Sequence, residues 1–266
     1  MRSKSIVQIY EVQSESEAEK MIELGVDHIG TVLVDKKDWK SEKIRNTVRT
    51  VQAAGSKSSL IPLFSRPETV IDALDYYRPD IVHFCETLAS GQTVLDTSVQ
   101  LIQLQQTVKK NFPSISIMRS IPIAPPGQAD RVPTLALARK FEPVSDYFLT
   151  DTFLTASAGV STEKQPVTGF IGITGQICDW TMARCLVKNS GIPVILAGGI
   201  DPGNAADAIK TVQPAGLDSC TGTNARNRNG QPIRFKKDPV KVRQLVDIVR
   251  KLDKRFEFAD RQAPEA

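Results

Sequence analysis

The chain has 266 residues, 41% hydrophobic and 24% charged, the balance of a globular protein long enough for one large core. Its 34 basic and 30 acidic residues leave a net charge of +4 spread along the chain, which gives no footing for nucleic-acid binding. Four cysteines show neither a CxxC pair nor zinc-like spacing with the two histidines, His28 and His83. No disulfide framework or metal site is therefore expected, and with no signal-peptide or ~20-residue apolar run the expectation is a cytoplasmic protein without a membrane partner.

Short aliphatic runs alternate with helical patterns from end to end. Ile6 to Tyr10 reads as a strand, and the acid-rich Ser14 to Glu19 opens a helix that Gly25 stops. Strand two spans His28 to Val34, with a helix at Ser41 to Ala54; strand three spans Ser59 to Phe64, with a helix at Pro67 to Tyr77. Strand four is Asp80 to Cys85, followed by a helix from Ser98 to Asn111. Ile115 to Ile121 and Ala129 to Phe141 form the fifth unit. Asp146 to Thr150, a long small-residue loop from Gly159 to Gly172, and Asp179 to Asn189 form the sixth. Pro193 to Leu196 with Asp201 to Thr211, then Gly216 to Cys220 with Pro239 to Leu252, complete the series.

Eight buried-type strands, each followed by a helix, predict a single (β/α)8 TIM barrel, α/β in class, over residues 1–256, with a polar tail at 257–266. The open doubly wound sheet is disfavoured because no GxGxxG follows the first strand.

Function in such a barrel lies where the strands end. Ile195 to Asn204 is a strand running through Ala197, Gly198 and Gly199 into a helix, and Gly216 to Asn224 ends in Thr221 and Gly222. Two consecutive endings of this kind predict a phosphate site, because glycine lets the backbone approach an anion. The loop Gly172-Ile-Thr-Gly-Gln-Ile-Cys-Asp-Trp180, with Gly172, Thr174 and Gly175, either faces the same phosphate or is a surface loop. The basic stretch Arg226 to Lys237 is a solvated loop or a rim that attracts an anion.

These segments resemble the phosphoribosylanthranilate isomerase family of tryptophan biosynthesis. Pro193-Val-Ile-Leu-Ala-Gly-Gly-Ile-Asp-Pro-Gly-Asn204 is similar to its PxxLAGGLxPxN segment, and Gly216-Leu-Asp-Ser-Cys-Thr-Gly222 to its GVDxSSG motif. Lys237-Asp-Pro-Val-Lys-Val242 resembles KDPxKI, the loop Gly172 to Trp180 resembles GGTGxxFDW, and Glu23 to Asp27 with Gly30 resembles ELGAD…GF.

The resemblance implies an Amadori rearrangement of a small phosphorylated aminoaldose to an aminoketose, with no cofactor, in a monomer or homodimer. It needs an acid to open the furanose and a base to remove the C2 proton. Asp151 falls at the family's acid, at the end of strand six. Tyr10 stands where the family's KICG motif has its cysteine base, and Glu11 where it has glycine. Tyr10, Glu11 and His83, the last in the strand-four segment similar to VQLHG, are therefore the candidate bases. Trp39 falls at the substrate arginine of PKSxR, with Lys36 as a nearby substitute and Arg119 of strand five as a further substrate contact. The alternative is a non-catalytic barrel that binds a phosphorylated metabolite and has lost the base. An aldolase is disfavoured because no strand carries a lysine, and a metal-dependent epimerase because histidines are few.

Overall fold

A computed structural model describes residues 4–34, 37, 39–154 and 167–262. Eight parallel strands, β1 (Ile6–Ile9), β2 (His28–Leu33), β3 (Lys57–Pro62), β4 (Ile81–Phe84), β5 (Ser116–Ile123), β6 (Tyr147–Thr152), β7 (Val194–Leu196) and β8 (Gly216–Ser219), close into a barrel. The closure is a parallel ladder in which Gln8 faces Asp218 across β1 and β8 and His28 across β1 and β2. Around it lie α1 (Glu15–Glu23), α2 (Glu42–Ala53), α3 (Pro67–Tyr77), α4 (Thr97–Asn111), α5 (Thr134–Phe141), α6 (Trp180–Asn189), α7 (Ala205–Val212) and α8 (Pro239–Gln262). No helix among the described residues is long and apolar enough to cross a membrane.

The strands form where aliphatic residues bury on the face toward the helices: Val7, Ile9, Ile29 and Leu217 are all but inaccessible and pack against Met21, Val242 and Val249. Each such side chain contributes about 1.5–3 kcal/mol of burial. Asp179 starts α6 as an N-cap: its Oδ1 accepts from the Met182 amide at 3.0 Å and its Oδ2 from the Gly127 amide at 3.0 Å.

The N-terminal rim is held by a recurring device. Asp27, Asp80 and Asp146, each just before an even-numbered strand, accept the backbone N–H of Val7, Ser58 and Ile117 on the preceding strand at 2.7–2.9 Å. Each also pairs with a lysine, Lys4, Lys57 and Lys109 respectively. Burial pushes the Asp27 carboxyl up, but the Lys4, Val7 and Arg250 donors outweigh it and hold it below its ordinary value; Asp80 is held down in the same way.

Two expectations are corrected, and one further element is added. The stretch after β8 is not a loop but a β-hairpin, Asn224–Arg226 paired antiparallel with Pro232–Lys237. A second, smaller hairpin, Ala89–Ser90 with Thr93–Val94, lies between β4 and α4. The last helix continues to Gln262, so most of the expected tail is helical; 263–266 lie outside the described residues, as do positions 159–166 of the loop expected before α6.

Candidate active site

At the C-terminal rim the barrel opens into a concave cavity. Gly172, Thr174, Gly175, Ala197, Gly198, Gly199, Thr221 and Gly222 all line it, as do Tyr10, Glu11, His83 and Asp151. Barrel closure thus gathers twelve of the fifteen expected site residues into one place.

The glycines serve packing as well as access. A β-carbon at Gly198 would lie 2.5 Å from Thr152 Oγ1, and one at Gly199 would lie 2.7 Å from the Gln176 carbonyl carbon. The pair therefore lets the Gly172–Asp179 segment close over the end of β7. Thr150 holds the same junction, its hydroxyl donating to the Ala197 carbonyl and accepting from the Ala197 amide, both at 2.9 Å. Across β8, a β-carbon at Gly222 would strike the Ile200 carbonyl at 2.2 Å, and Ser219 Oγ donates to that oxygen at 2.7 Å.

Asp151 ends β6 half-buried, its Oδ1 accepting from the Thr152 amide at 2.9 Å. Burial raises its carboxyl to about 7, against that single opposing hydrogen bond. Gly172 passes directly over it: a side chain at 172 would start 2.2 Å from Asp151 Oδ2. Asp218, the aspartate of the segment similar to GVDxSSG, to which the sequence reading gave no role, also lines the cavity and is likewise raised to about 7, chiefly by burial and further by the charge of Asp151.

Beneath these carboxyls, beside the apolar Ile81, Met118, Leu149 and Ile195, the barrel interior carries polar side chains. Gln8 Nε2 donates to Asp218 Oδ1 at 3.1 Å, and Gln8 Oε1 lies 3.1 Å from His28 Nδ1. On the opposite side Tyr10 Oη sits 2.6 Å from Ser59 Oγ and 2.8 Å from His83 Nδ1, while His83 Nε2 lies 2.7 Å from Ser120 Oγ. Desolvation drives the Tyr10 hydroxyl well above 10 and the His83 imidazole down to about 3, with Arg119 adding to the latter. A phenol so raised and an imidazole so weakly basic, both held by hydroxyl partners, are ill-suited to taking a proton from carbon at neutral pH.

Glu11 is buried with φ +63°, the left-handed region that glycine tolerates best. Its Oε1 accepts from Arg234 Nε at 2.7 Å and Nη2 at 2.5 Å, which ties the hairpin Pro232–Lys237 to the cavity mouth. Among the described residues Oε2 has no partner.

Two expected substrate contacts are corrected. Arg119 is fully buried on the outer side of β5, donating to Gln105 Oε1 at 2.8 Å and to Glu86 Oε2 at 2.7 Å, between the Phe84 and Phe141 rings. It is a structural ion pair and does not line the cavity. Trp39 packs edge-on against Tyr76 and Tyr77 of α3, away from the mouth. Lys36 lies outside the described residues.

The model of the N-(5'phosphoribosyl)anthranilate (PRA) isomerase family matches residues 91–247. The N-(5'-phosphoribosyl)anthranilate isomerase of Methanocella arvoryzae is 28% identical over 237 residues, 85% of this chain and 89% of that one. N-(5'-phosphoribosyl)anthranilate isomerase 2 of Methanosarcina mazei is 32% identical over 167 residues, 57% of this chain and 66% of that one. The crystal structure of phosphoribosyl anthranilate isomerase from Thermotoga maritima superposes with a TM-score of 0.65 at 18% identity, covering 93% of this chain and 99% of that one.

Proposed function

Since the chain belongs to the N-(5'-phosphoribosyl)anthranilate isomerase family, we propose that it rearranges N-(5-phosphoribosyl)anthranilate, or a closely related phosphorylated aminoaldose, to the aminoketose. The observation that carries this reading is Asp151, half-buried at the end of β6 and opening on the cavity, with its carboxyl raised to about 7. A carboxyl at that value remains substantially protonated near neutrality and can donate to the furanose ring oxygen as the ring opens. The glycine-lined endings of β7 and β8 on the same cavity suit the substrate phosphate, which they would hold through backbone N–H groups.

The burial and hydrogen bonding of Tyr10 favour a second reading, a barrel that binds a phosphorylated metabolite without turning it over. The two part on one assay. Freshly prepared phosphoribosylanthranilate is incubated with the protein and with Asp151→Asn, and anthranilate fluorescence is followed. Asp151-dependent consumption above the spontaneous rate supports the isomerase. Ligand-dependent thermal stabilisation by a sugar phosphate with no consumption supports the binding barrel.

A further inference from the structure

We propose that Asp218, at the end of β8, is the general base of this site and works as a pair with Asp151 as the acid. The inference rests on the isomerase reading and supplies the group that Tyr10 does not provide.

Three observations place Asp218 in that role. It borders the same cavity as Asp151, from the strand two places along the barrel, and is only 6% exposed. Its Oδ1 receives a hydrogen bond from Gln8 Nε2, and the Gln8 amide is itself oriented by His28, whose Nδ1 meets Gln8 Oε1. With its oxygen turned to His28, the amide presents its N–H₂ to Asp218 and so favours the carboxylate over the acid. The charge of Asp151 also raises the Asp218 carboxyl, so ionising both at once is disfavoured.

Which of the two ionises follows from the surroundings. Asp218 has the Gln8 donor and the positive field of Lys237, whose Nζ lies 2.9 Å from the Cys220 carbonyl on the hairpin side. Tyr10 and Cys220 also face Asp218, both neutral because burial drives their values up. Among the described residues Asp151 has the Thr152 amide as its donor and no cation beside it. The negative charge therefore settles on Asp218 and the proton on Asp151.

The steps balance without any outside reactant. Asp151 gives its proton to the ring oxygen as the C1′–O4′ bond breaks, and the nitrogen lone pair forms C1′=N⁺. Asp218 takes the C2′ proton; the C–H pair becomes C1′=C2′ and the iminium pair returns to nitrogen, leaving an enolamine. Asp151, now ionised, takes the O2′ proton, and Asp218, now protonated, gives its proton to C1′; the ketone forms and both carboxyls return to their starting states. Gln8 and His28 are positioning residues in this scheme.

The test compares wild type with Asp218→Asn, Asp151→Asn, Tyr10→Phe and Gln8→Leu. Substrate is phosphoribosylanthranilate, and inorganic phosphate protection in thermal melts serves as the folding control. The expected result is a fall in kcat of at least ~100-fold for Asp218→Asn with phosphate protection intact, against a change within ~10-fold for Tyr10→Phe. Gln8→Leu, which removes the donor, moves the acidic limb of the kcat/KM profile to higher pH. Wild-type turnover that survives Asp218→Asn, or that Tyr10→Phe abolishes equally, overturns the assignment while leaving the isomerase standing. Should Asp218→Asn not fold, an acidic limb unmoved by Gln8→Leu overturns it. Absence of wild-type turnover overturns the isomerase reading itself, and the assignment with it.

Discussion

The ring of Tyr10 fills the space where a side chain at position 30 would begin: a β-carbon on Gly30 would lie 2.0 Å from Tyr10 Cδ1 and 2.2 Å from Cε1. Gly30 has an ordinary strand conformation, so its requirement is one of volume rather than backbone freedom. Gly30→Ala should destabilise the fold by about 1–3 kcal/mol through overpacking. Adding Tyr10→Cys should recover most of that loss. Urea denaturation of the two single variants and the double variant measures the coupling, and additive effects would show that the contact is unimportant.

Arg119 and Glu86 form the most deeply buried ion pair among the described residues, with side-chain exposures of 0% and 6%. Arg119→Leu leaves Glu86 charged and unpaired, and should remove about 3–5 kcal/mol of stability. Because Arg119 does not line the cavity, KM of the folded fraction should stay at the wild-type value. A raised KM with unchanged melting would return Arg119 to the substrate.

Glu11 and Arg234 present the opposite geometry, a buried acid held by a partly exposed base. Arg234→Ala leaves the carboxylate without its cation and should destabilise, by about 1–3 kcal/mol given the exposure of the arginine. Glu11→Gly combined with Arg234→Ala should restore much of the loss, since it removes both the stranded charge and a left-handed non-glycine residue. Thermal melts of the single and double variants test the order.

The pH dependence of stability should have two limbs of different origin. Asp27 and Asp80 are held below their ordinary values, so their contribution is present above about pH 4 and is lost as pH falls through their folded values. Asp151 and Asp218 are raised to about 7. Between about pH 4 and 7 the folded chain binds more protons than the unfolded one, and stability declines as pH rises. Asp218→Asn should therefore be more stable than wild type at pH 8 and nearly equal at pH 4. Urea midpoints at the two values decide it, and a constant difference would sink the argument.

The barrel was legible because its strands are apolar runs and its helices carry clear starts and stops; Pro67 to Tyr77 even has the expected ends. The glycine endings of β7 and β8 were legible because that turn chemistry is local. The hairpin after β8 carried a readable signal, Asn229-Gly230 followed by alternating Ile233 and Phe235. Its five basic residues drew attention to solvent instead. Asp218 and its partners Gln8 and His28 were hidden for another reason. They lie on three separate strands, and only the register of closure, which sets Gln8 beside both the others, makes them a group. Arg119 misled because a strand arginine has two faces to choose from, and here it turned toward Gln105 and the helix layer.

The aspartate clasps at the N-terminal rim divide the barrel unevenly. They tie β2 to β1, β4 to β3 and β6 to β5, but the matching residue before β8 is Ala215, which has no carboxylate; its amide donates to the Val194 carbonyl and its carbonyl accepts from the Ile6 amide. The fourth quarter, β7 with β8, is thus the one without an aspartate clasp among the described residues, and it is also the one whose glycine-rich endings face the cavity. Amide exchange should find this quarter the first to open in the empty protein and the most slowed when phosphate is added. The anion would then act as the missing rivet, so that the barrel is fully braced only while it is occupied.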